Sequence, residues 1–364
     1  MTIHLPLLDS CFALHRGARS SLHKVLATAG QAIRAGALSL SASMVMAAGL
    51  AVVAPALHAA PVVTEYAGTC DVSAAIALDA QRFVVASDED NHLRIYKLGS
   101  TVAPLGADDV SKALKTTRKS PEADLEAAAA MGERIYWITS HGANSSGEQR
   151  SNRHRLFATQ TTSRDGESQL AVVGKPYRDL VRDMARHPSL KPFDLGKAAE
   201  IAPKEPGGLN IEGLAATPDG HLLIGLRGPV PDGKALLIPV DNPSQVVAGK
   251  PALLGEPIWL ALGGRGVRSI EYVPALSAYL IVAGLPGVGG PFELYRWSGM
   301  PTEAPVAMPG VDMDGLQPEA MIAWPGSPVR LQIFSDDGTR RIDGKMCKEQ
   351  TPEKQRFRTI EVTL

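Results

Sequence analysis

The sequence predicts an all-β fold, a β-propeller with five visible repeats, and three observations support this prediction. One sequence phrase recurs five times between Asp71 and Gly338. It begins with a polar or turn residue and in most copies has a Glu at its third position. A run of small apolar residues, a turn and a second apolar run follow. Pro and Gly are abundant, with 27 and 35 residues. Helix signals are scarce outside one short segment. Stacked repeats of about fifty residues, each made of short strands, are typical of propeller blades.

The five copies share the same layout, with turn residues between two β-rich runs. They begin at Asp71-Val72-Ser73, Asp124-Leu125-Glu126, Asn210-Ile211-Glu212, Ser269-Ile270-Glu271 and Gln317-Pro318-Glu319. They close at Ser87-Asp88, Ser140-His141, Leu226-Arg227, Ala283-Gly284 and Ser335-Asp336. Because Pro presets the first turn dihedral and Gly accepts a positive φ, we expect each copy to form an antiparallel hairpin.

The spacings between the third residues of successive copies are 53, 86, 59 and 48 residues. In the long gap we expect an extra hairpin over 154–161 and 169–173 and a helix over 177–186, or instead a sixth, degenerate blade. The sequence therefore predicts a five- or six-bladed propeller with one small helical insertion. A β-sandwich or a two-domain β protein is the alternative, but neither predicts the same phrase five times.

Residues 1–59 are predicted to be a secretory signal peptide with a long n-region. Four basic residues precede an uncharged stretch from Ala35 to Thr64, and Pro55 stands before a small-residue cleavage point at Ala59. An uncleaved membrane anchor is the alternative, since the stretch is long enough to cross a bilayer. We expect removal, which leaves a single periplasmic or secreted propeller domain, 60–364, without a membrane span. We expect this domain to be a monomer.

Charge and cysteine content agree with this assignment. The signal carries four basic residues and one acidic residue, so the net charge falls from −1 to −1 − 3 = −4, which excludes the basic surface of a nucleic-acid binder. The mature chain keeps Cys70 and Cys347, which flank the repeats. In an oxidising compartment they are candidates for one disulfide between the first and last blades. Two free thiols are the alternative.

The hairpin geometry predicts where a site lies. The first and last residues of a hairpin lie side by side, so we expect two columns on one face of the central channel. One column contains Glu126, Glu212, Glu271 and Glu319, and the other contains Asp88, His141, Arg227 and Asp336. Carboxylates that converge in this way repel each other unless a cation, an Arg or protonation relieves them. The long polar loop 140–155 leaves the second column directly, so we expect it to overhang this face.

Three interpretations of these columns stay open. The four glutamates bind a divalent cation, with calcium the ion that suits carboxylate ligands. Alternatively, the closing residues bind a small polar or anionic ligand, with Arg227 and Arg268 holding its anionic group. In the third interpretation each Glu accepts a backbone N–H of the next blade and has only a structural role.

Whether the protein is an enzyme also stays open. The chain lacks a Gly-x-Ser-x-Gly elbow, a His-Glu-x-x-His motif, a phosphate-binding Gly-Lys-Ser/Thr loop and a Cys-x-x-Cys pair. One alternative is a metal-dependent hydrolase of phosphoesters or lactones, with His141 as the candidate catalytic proton carrier. Another is a non-catalytic interaction scaffold.

The phrases at 207–214, 263–272 and 294–299, among them Gly-Gly-Leu-Asn-Ile-Glu-Gly, resemble a bacterial secreted family known only as domain-of-unknown-function family 3616. The resemblance spans about Cys70 to Gly338 and implies no established activity. More distantly, Glu212-Gly213-Leu214 is similar to the Glu-Gly phrase of phytase-like esterases and gluconolactonase-type propellers. In the latter the matching Glu is a ligand of a central divalent metal, which implies this role for Glu212. The Pro that usually follows there is absent here.

Overall fold

The computed structural model describes residues 62–364 apart from Asp165, so the predicted signal peptide lies outside the described residues. Five four-stranded antiparallel sheets are arranged in a ring, and the first strand of each repeat contacts the first strands of both neighbouring repeats. This arrangement confirms the β-propeller and sets the blade number at five. Within the described part of the chain, no helix is long and apolar enough to cross a membrane.

The strands follow the chain in blade order, with one exception at the amino-terminal side. Strand β1 is Val62–Ala67. The first blade contains β2 (Ala74–Ala77), β3 (Arg82–Ala86), β4 (His92–Lys97) and β5 (Gly106–Asp109). The second contains β6 (Leu125–Met131), β7 (Arg134–Thr139), β8 (Leu156–Arg164) and β9 (Glu167–Tyr177). The third contains β10 (Asn210–Ala216), β11 (Leu222–Gly228), β12 (Ala235–Val240) and β13 (Ile258–Leu260).

The fourth blade contains β14 (Gly266–Val273), β15 (Ala278–Gly284), β16 (Glu293–Trp297) and β17 (Val306–Ala307). The fifth contains β18 (Pro318–Trp324), β19 (Arg330–Ser335) and, after the small hairpin of β20 (Arg341–Ile342) and β21 (Lys345–Met346), β22 (Arg356–Thr363). Strand β1 pairs antiparallel with β22 and completes this blade. The ring is therefore closed by joining the two ends of the described chain in one sheet.

The helices are short and lie between strands. The α-helices are α1 (Ser111–Leu114), α2 (Leu180–Arg186), α3 (Leu195–Ala198) and α4 (Pro243–Val246). The 3-10 helices are Ser151–Arg153, Pro188–Phe193, Pro231–Gly233, Pro274–Leu276 and Cys347–Glu349. The helix predicted over 177–186 begins later, at Leu180, because Tyr177 ends β9. The predicted extra hairpin is β8 and β9 of the second blade, so the long gap does not contain a sixth blade.

The core consists of five apolar clusters, each built from two neighbouring blades. Because successive side chains of a strand point to opposite faces, Val84 of β3 packs against the second blade and Val85 against the fifth. At the joint between the first and fifth blades, Tyr66 contacts Phe83 edge-on and stacks on Phe357, with ring centroids 5.3 Å apart in both pairs. These clusters hold the five inner strands around one channel.

A disulfide bond joins Cys70, just after β1, to Cys347, before β22, which confirms the predicted bridge. Beside it, the Asp337 N–H donates a hydrogen bond of 3.0 Å to the Cys70 carbonyl. The covalent link and the β1–β22 pairing therefore act at the same joint of the ring.

Candidate functional site

A β-bulge near the start of the inner strand marks the same repeat position in three blades. The bulged residue is Glu126 in β6, Glu212 in β10 and Glu319 in β18. A bulge bends the strand and re-aims the side chain of the extra residue. In the first blade Ser73 stands at this place, and its hydroxyl donates to the Leu125 carbonyl of the second blade. The structure therefore places three glutamates of the predicted column, and Ser73 as the third residue of the first copy, at corresponding positions of their blades.

The fourth blade departs from the prediction. Its register shift falls between Val267 and Ser269, so the bulged residue is Arg268. The assignment of Glu271 to this position is therefore wrong: Glu271 pairs with Leu280, three residues further along β14, or about 10 Å. If this copy begins at Gly266, its third residue is Arg268, and the spacings between third residues become 56 before it and 51 after it. Both values are closer to the first spacing of 53 than 59 and 48 are, so the sequence contained a signal for Arg268 at this position.

The closing column is also shifted in one blade. The Ser140 N–H donates to the Asp124 carbonyl, as the Asp336 N–H donates to the Gln317 carbonyl. Ser140 is therefore the counterpart of Asp336, and His141 follows one residue later, with a backbone φ of +55°. The prediction that His141 belongs to the column is wrong, because a shift of one residue along a strand changes the face to which the side chain points.

His141 lies outside the cavities at the channel. Its ring is fully buried, its Nδ1 lies 2.7 Å from the Thr139 carbonyl, and its centroid is 5.5 Å from that of His154. Burial, reinforced by the nearby His154 and Arg155, lowers the pKa of His141 to about 3. The imidazole is thus neutral at physiological pH. It does not line the cavity with the acidic residues, where it was predicted to act as a proton carrier.

The bulged residues of the last three blades form a continuous chain of ion pairs. Arg227 Nη1 lies 2.8 Å from Glu212 Oε1, and Arg268 Nη1 lies 2.9 Å from Glu212 Oε2. Arg268 also contacts Glu319 of the fifth blade through Nη2. The four residues Arg227, Glu212, Arg268 and Glu319 are called the paired half of the site. They link the third, fourth and fifth blades.

The two arginines of the paired half are committed to partners within the protein. Arg227 donates from Nη2 to the Gly287 carbonyl at 2.6 Å and from Nε to the Leu285 carbonyl at 3.3 Å. Arg268 is only 3% exposed, and its guanidinium lies over the ring of Phe292 at 5.7 Å from the centroid. Both arginines therefore pair with glutamates here; the role of holding an anionic ligand was one of the three interpretations of the sequence, and it stays a prediction.

A cavity of ≈ 470 Å³, here called the acidic vestibule, lies at the same end of the channel. This volume is within the range of small-molecule sites. Its acidic lining residues are Asp88, Glu89, Glu122, Asp124, Glu126, Glu205, Glu212, Glu319 and Asp336. Its basic lining residues are Arg153, Lys204, Arg227 and Lys348. Nine carboxyl groups thus face four cationic groups, and the lining is strongly acidic.

The predicted long loop reaches this cavity through Ser145 and Arg153. Arg153 forms ion pairs with Glu122 at 2.6 Å and with Asp124 at 2.8 Å. Asp124 is the first residue of the second repeat, a position that is polar in every predicted copy, so the sequence could have indicated that it lies near the site. Glu122 and Lys348 had none, because they reach the vestibule from segments outside the repeat.

The carboxyl groups of the first and second blades, with Asp336 of the fifth, are here called the acidic half: Asp71, Asp88, Asp124, Glu126 and Asp336. Burial, followed by neighbouring carboxylates, raises the pKa of Glu126 and of Asp88 well above their ordinary values. The same causes raise the pKa of Asp71 to about 8. Burial raises the pKa of Asp124 to about 6 against the opposing effect of Arg153.

Glu126 is distinctive within the acidic half. Its side chain is only 8% exposed, and among the described residues it has no hydrogen-bond or ion-pair partner. Its oxygens are open to the cavity, whereas Asp88 Oδ1 is fully enclosed and has no hydrogen-bond partner among the described residues. Native proteins nearly always provide a buried carboxyl group with a partner, so both groups mark this side of the cavity as a place for a ligand. Glu126 lines the vestibule and also a second cavity, so its carboxyl group faces both.

The second cavity, of ≈ 730 Å³, is here called the alanine channel. Segments of all five inner strands line it, and its alanines are Ala74, Ala75, Ala77, Ala127, Ala128, Ala129, Ala130, Ala215, Ala216 and Ala320. Glu126 and Glu319 lie at its boundary with the vestibule, and Glu271 lines its wall. Glu271 Oε2 accepts a 2.8 Å hydrogen bond from the Ala323 N–H of the next blade.

The predicted ring of four metal-binding glutamates is not formed. Glu212 is held by Arg227 and Arg268, and Glu271 lies lower in the channel with the kind of backbone partner that the structural interpretation predicted. Between residues 62 and 364, Asp165 aside, no three His, Cys, Asp or Glu side chains are arranged around a common metal position. Glu126 and Glu319 remain beside the vestibule, and a bound cation stays a prediction.

Comparison with known proteins gives one family match over part of the chain and a set of distant structures. Residues 153–317 match the family described as protein of unknown function (DUF3616), which confirms over this segment the resemblance indicated by the sequence motifs. No curated protein matches the chain.

Similar solved structures include Myxococcus xanthus glutaminyl cyclase, with 12% identity, a TM-score of 0.43 and coverage of 82% of this chain and 95% of that one. Staphylococcus aureus virginiamycin B lyase has 8% identity, a TM-score of 0.38 and coverage of 83% and 99%. The PQQ-bound aldose sugar dehydrogenase of Streptomyces coelicolor has 13% identity, a TM-score of 0.41 and coverage of 84% and 99%. At these values we transfer no residue role or activity to this chain.

Proposed function

We propose that this protein is an exported propeller that binds a small, positively charged polar ligand in the acidic vestibule. The observation that carries the proposal is the carboxyl group of Glu126, a largely buried residue, which has no partner among the described residues and opens onto the cavity. A cation beside it supplies the missing partner. The ligand provides the charge itself or brings a divalent cation such as calcium.

The charge balance supports a cation rather than an anion. Nine carboxyl groups and four cationic groups line the vestibule, and Arg227 is already engaged with Glu212. Two unit charges 4 Å apart interact by about 4 kcal/mol at an effective dielectric constant of 20. A cationic ligand therefore favours the ionised form of the carboxyl groups whose pKa is raised and gains from the lining, which offers less to an anion.

The disulfide supports the proposed location. Disulfides form and persist in oxidising compartments, and the bond between Cys70 and Cys347 spans nearly the whole described domain. The hydrolase alternative receives less support because His141, its candidate proton carrier, lies outside the vestibule.

The test is a calorimetric titration of the purified protein with calcium, magnesium, methylammonium and inorganic phosphate. We expect at least one cation to bind and phosphate to show no binding. Replacing Glu126→Gln should weaken cation binding at least tenfold. Glu133, which is exposed in the turn at the other end of the same hairpin, provides the matched control Glu133→Gln, which should bind as the wild type does. Equal binding by Glu126→Gln and wild type, or binding of phosphate alone, would refute the proposal.

A further inference from the structure

The acidic vestibule and the alanine channel meet at Glu126 and Glu319. A cation bound at this boundary therefore has two spaces available, one lined by charges and one lined by small neutral side chains. Ten alanines contribute short side chains to the wall, beside larger residues such as Met131, Tyr272 and Met321. Small closed β-structures usually fill their interior with large side chains, so the alanines leave room here.

A further carboxyl group lies inside the channel. Glu271 is three residues beyond the bulge level along β14, about 10 Å. Its Oε2 accepts the Ala323 N–H, and the group lines the channel wall. Burial raises the pKa of Glu271 to about 7, so a nearby positive charge would favour the ionised form.

The channel thus presents two acidic levels separated by a neutral wall. The upper level is Glu126 with Glu319, and the lower is Glu271, with alanine side chains such as Ala128 and Ala216 between the two ends of the cavity. A linear molecule with a positive charge at each end and methylene groups between them matches this order of charged and neutral surfaces.

We propose that the ligand is a linear aliphatic diamine or polyamine, with one ammonium group at Glu126 and Glu319 and a second at Glu271. This inference rests on the proposed function and names its ligand class. The methylene chain lies against the alanine wall, where removal of apolar surface from water contributes to binding. The second ammonium group binds as the other end of a molecule that is already held, which raises its effective concentration.

The test compares diamines with monoamines of equal chain length, from two to eight methylenes, by calorimetry on the purified protein. We expect the best diamine to bind at least tenfold more tightly than the monoamine of the same length, with a maximum at an intermediate length, because a linker must match the distance between its two sites. Glu271→Gln should remove the diamine preference and leave the monoamine affinity within twofold. The exposed Glu303 of the same blade provides the matched control, Glu303→Gln.

A second variant tests the channel itself. Ala128, half-buried on the channel wall, is replaced by Leu, and Ala107, exposed on the outer strand β5, is replaced by Leu as the control. Ala128→Leu should lower diamine affinity at least tenfold at an unchanged melting temperature, and Ala107→Leu should not. If Ala128→Leu proves unstable, the Glu271→Gln comparison decides alone, since the Gln side chain keeps an acceptor for Ala323.

The outcomes separate this inference from the proposed function. If monoamines and diamines bind equally, or if calcium binds and no amine does, the diamine inference is wrong and the cation-binding function stands. If neither amines nor metal cations bind, both are wrong. Loss of the diamine preference in Glu271→Gln, with monoamine binding retained, supports the inference.

Discussion

The paired half and the acidic half of the site occupy equivalent positions of the same repeat, yet they differ in how their charges are balanced. Across the third to fifth blades, two arginines alternate with two glutamates, and each blade is linked to the next. On the side of the first and second blades, Asp88 and Glu126 face the vestibule close to other carboxyl groups. The paired half therefore stabilises the ring, and the acidic half keeps carboxyl groups that a positively charged ligand would draw into the ionised form.

The difference depends on one position. The fourth blade carries Arg268 where the second, third and fifth blades carry Glu. This arginine forms ion pairs with Glu212 and Glu319 of the two neighbouring blades, whereas Glu126, two blades away, forms no ion pair with it. Arg268 thus joins the third, fourth and fifth blades by ion pairs and leaves Glu126 outside that chain.

The largest expected effect concerns the joint beside the acidic half. Replacing both Cys70 and Cys347 by Ala should lower the free energy of unfolding by about 5 kcal/mol in the chain-entropy model, because the bond closes a loop with a sequence separation of 277. Urea denaturation followed by circular dichroism measures this change. A reducing agent should destabilise the wild type and leave the double variant unchanged. Equal midpoints for the two proteins would show that the β1–β22 pairing alone closes the ring.

The paired half is tested by Arg268→Met. This change leaves Glu212 with one cationic partner fewer and Glu319 without Arg268, and breaking a buried pair in this way costs about 3–5 kcal/mol. The matched control is Arg296→Met, an exposed arginine of the same blade, for which we expect a change within about 0.5 kcal/mol. Similar urea midpoints for the two variants would mean that the ion-pair chain contributes little to stability.

The acidic half should make stability depend on pH in the direction opposite to ordinary acid unfolding. A carboxyl group whose folded pKa is raised holds its proton more tightly in the folded state, so stability is lost as pH rises from its ordinary pKa toward the raised one. For Glu126 the ordinary value is 4.5, and the pKa of Asp71 is raised to about 8. The pKa of Glu319, in the paired half, is also raised to about 8 and adds to the effect. We therefore expect stability to fall between about pH 5 and pH 8.

Replacing Glu126→Gln removes one of these groups. The slope of unfolding free energy against pH should become shallower by up to about 1.4 kcal/mol per pH unit, the value for one proton. Glu133→Gln should leave the slope unchanged. Urea denaturation at successive pH values gives both slopes, and parallel curves for Glu126→Gln and wild type would mean that Glu126 is already ionised at low pH.

The smallest expected effect separates the two roles assigned to Glu271. Glu271→Ala removes the acceptor of the Ala323 N–H and should cost about 1–2 kcal/mol, whereas Glu271→Gln keeps an acceptor and should cost less than about 0.5 kcal/mol. Thermal and urea unfolding of the two variants measure these differences. Equal losses in both would show that the negative charge, rather than the hydrogen bond, links the blades.

Local patterns accounted for much of the fold. The five-fold phrase predicted the hairpins, the turn residues predicted their ends, and the positions of Cys70 and Cys347 predicted the bond between the first and last blades. The repeat also predicted that Asp88, Glu126, Glu212, Glu319 and Asp336 lie at one end of the channel, and all five line the vestibule. The hairpins depend on residues close together in the sequence, and the shared position of the acidic residues follows from the repeat. The bond between Cys70 and Cys347 spans a sequence separation of 277 and was predictable because the two cysteines flank the repeats.

By itself, then, the sequence determined a ring of equivalent hairpins and the face on which their acidic residues meet. Only the tertiary structure decided that the ring has five blades, that Arg268 replaces a glutamate, that His141 lies outside the site, and that Glu126 has no partner among the described residues. The physical reason is register. A bulge shifts the pairing of a strand by one residue, and a shift of one residue sends a side chain to the other face. Its charge partners then come from other blades, such as Arg268 for Glu319, 51 residues apart in sequence.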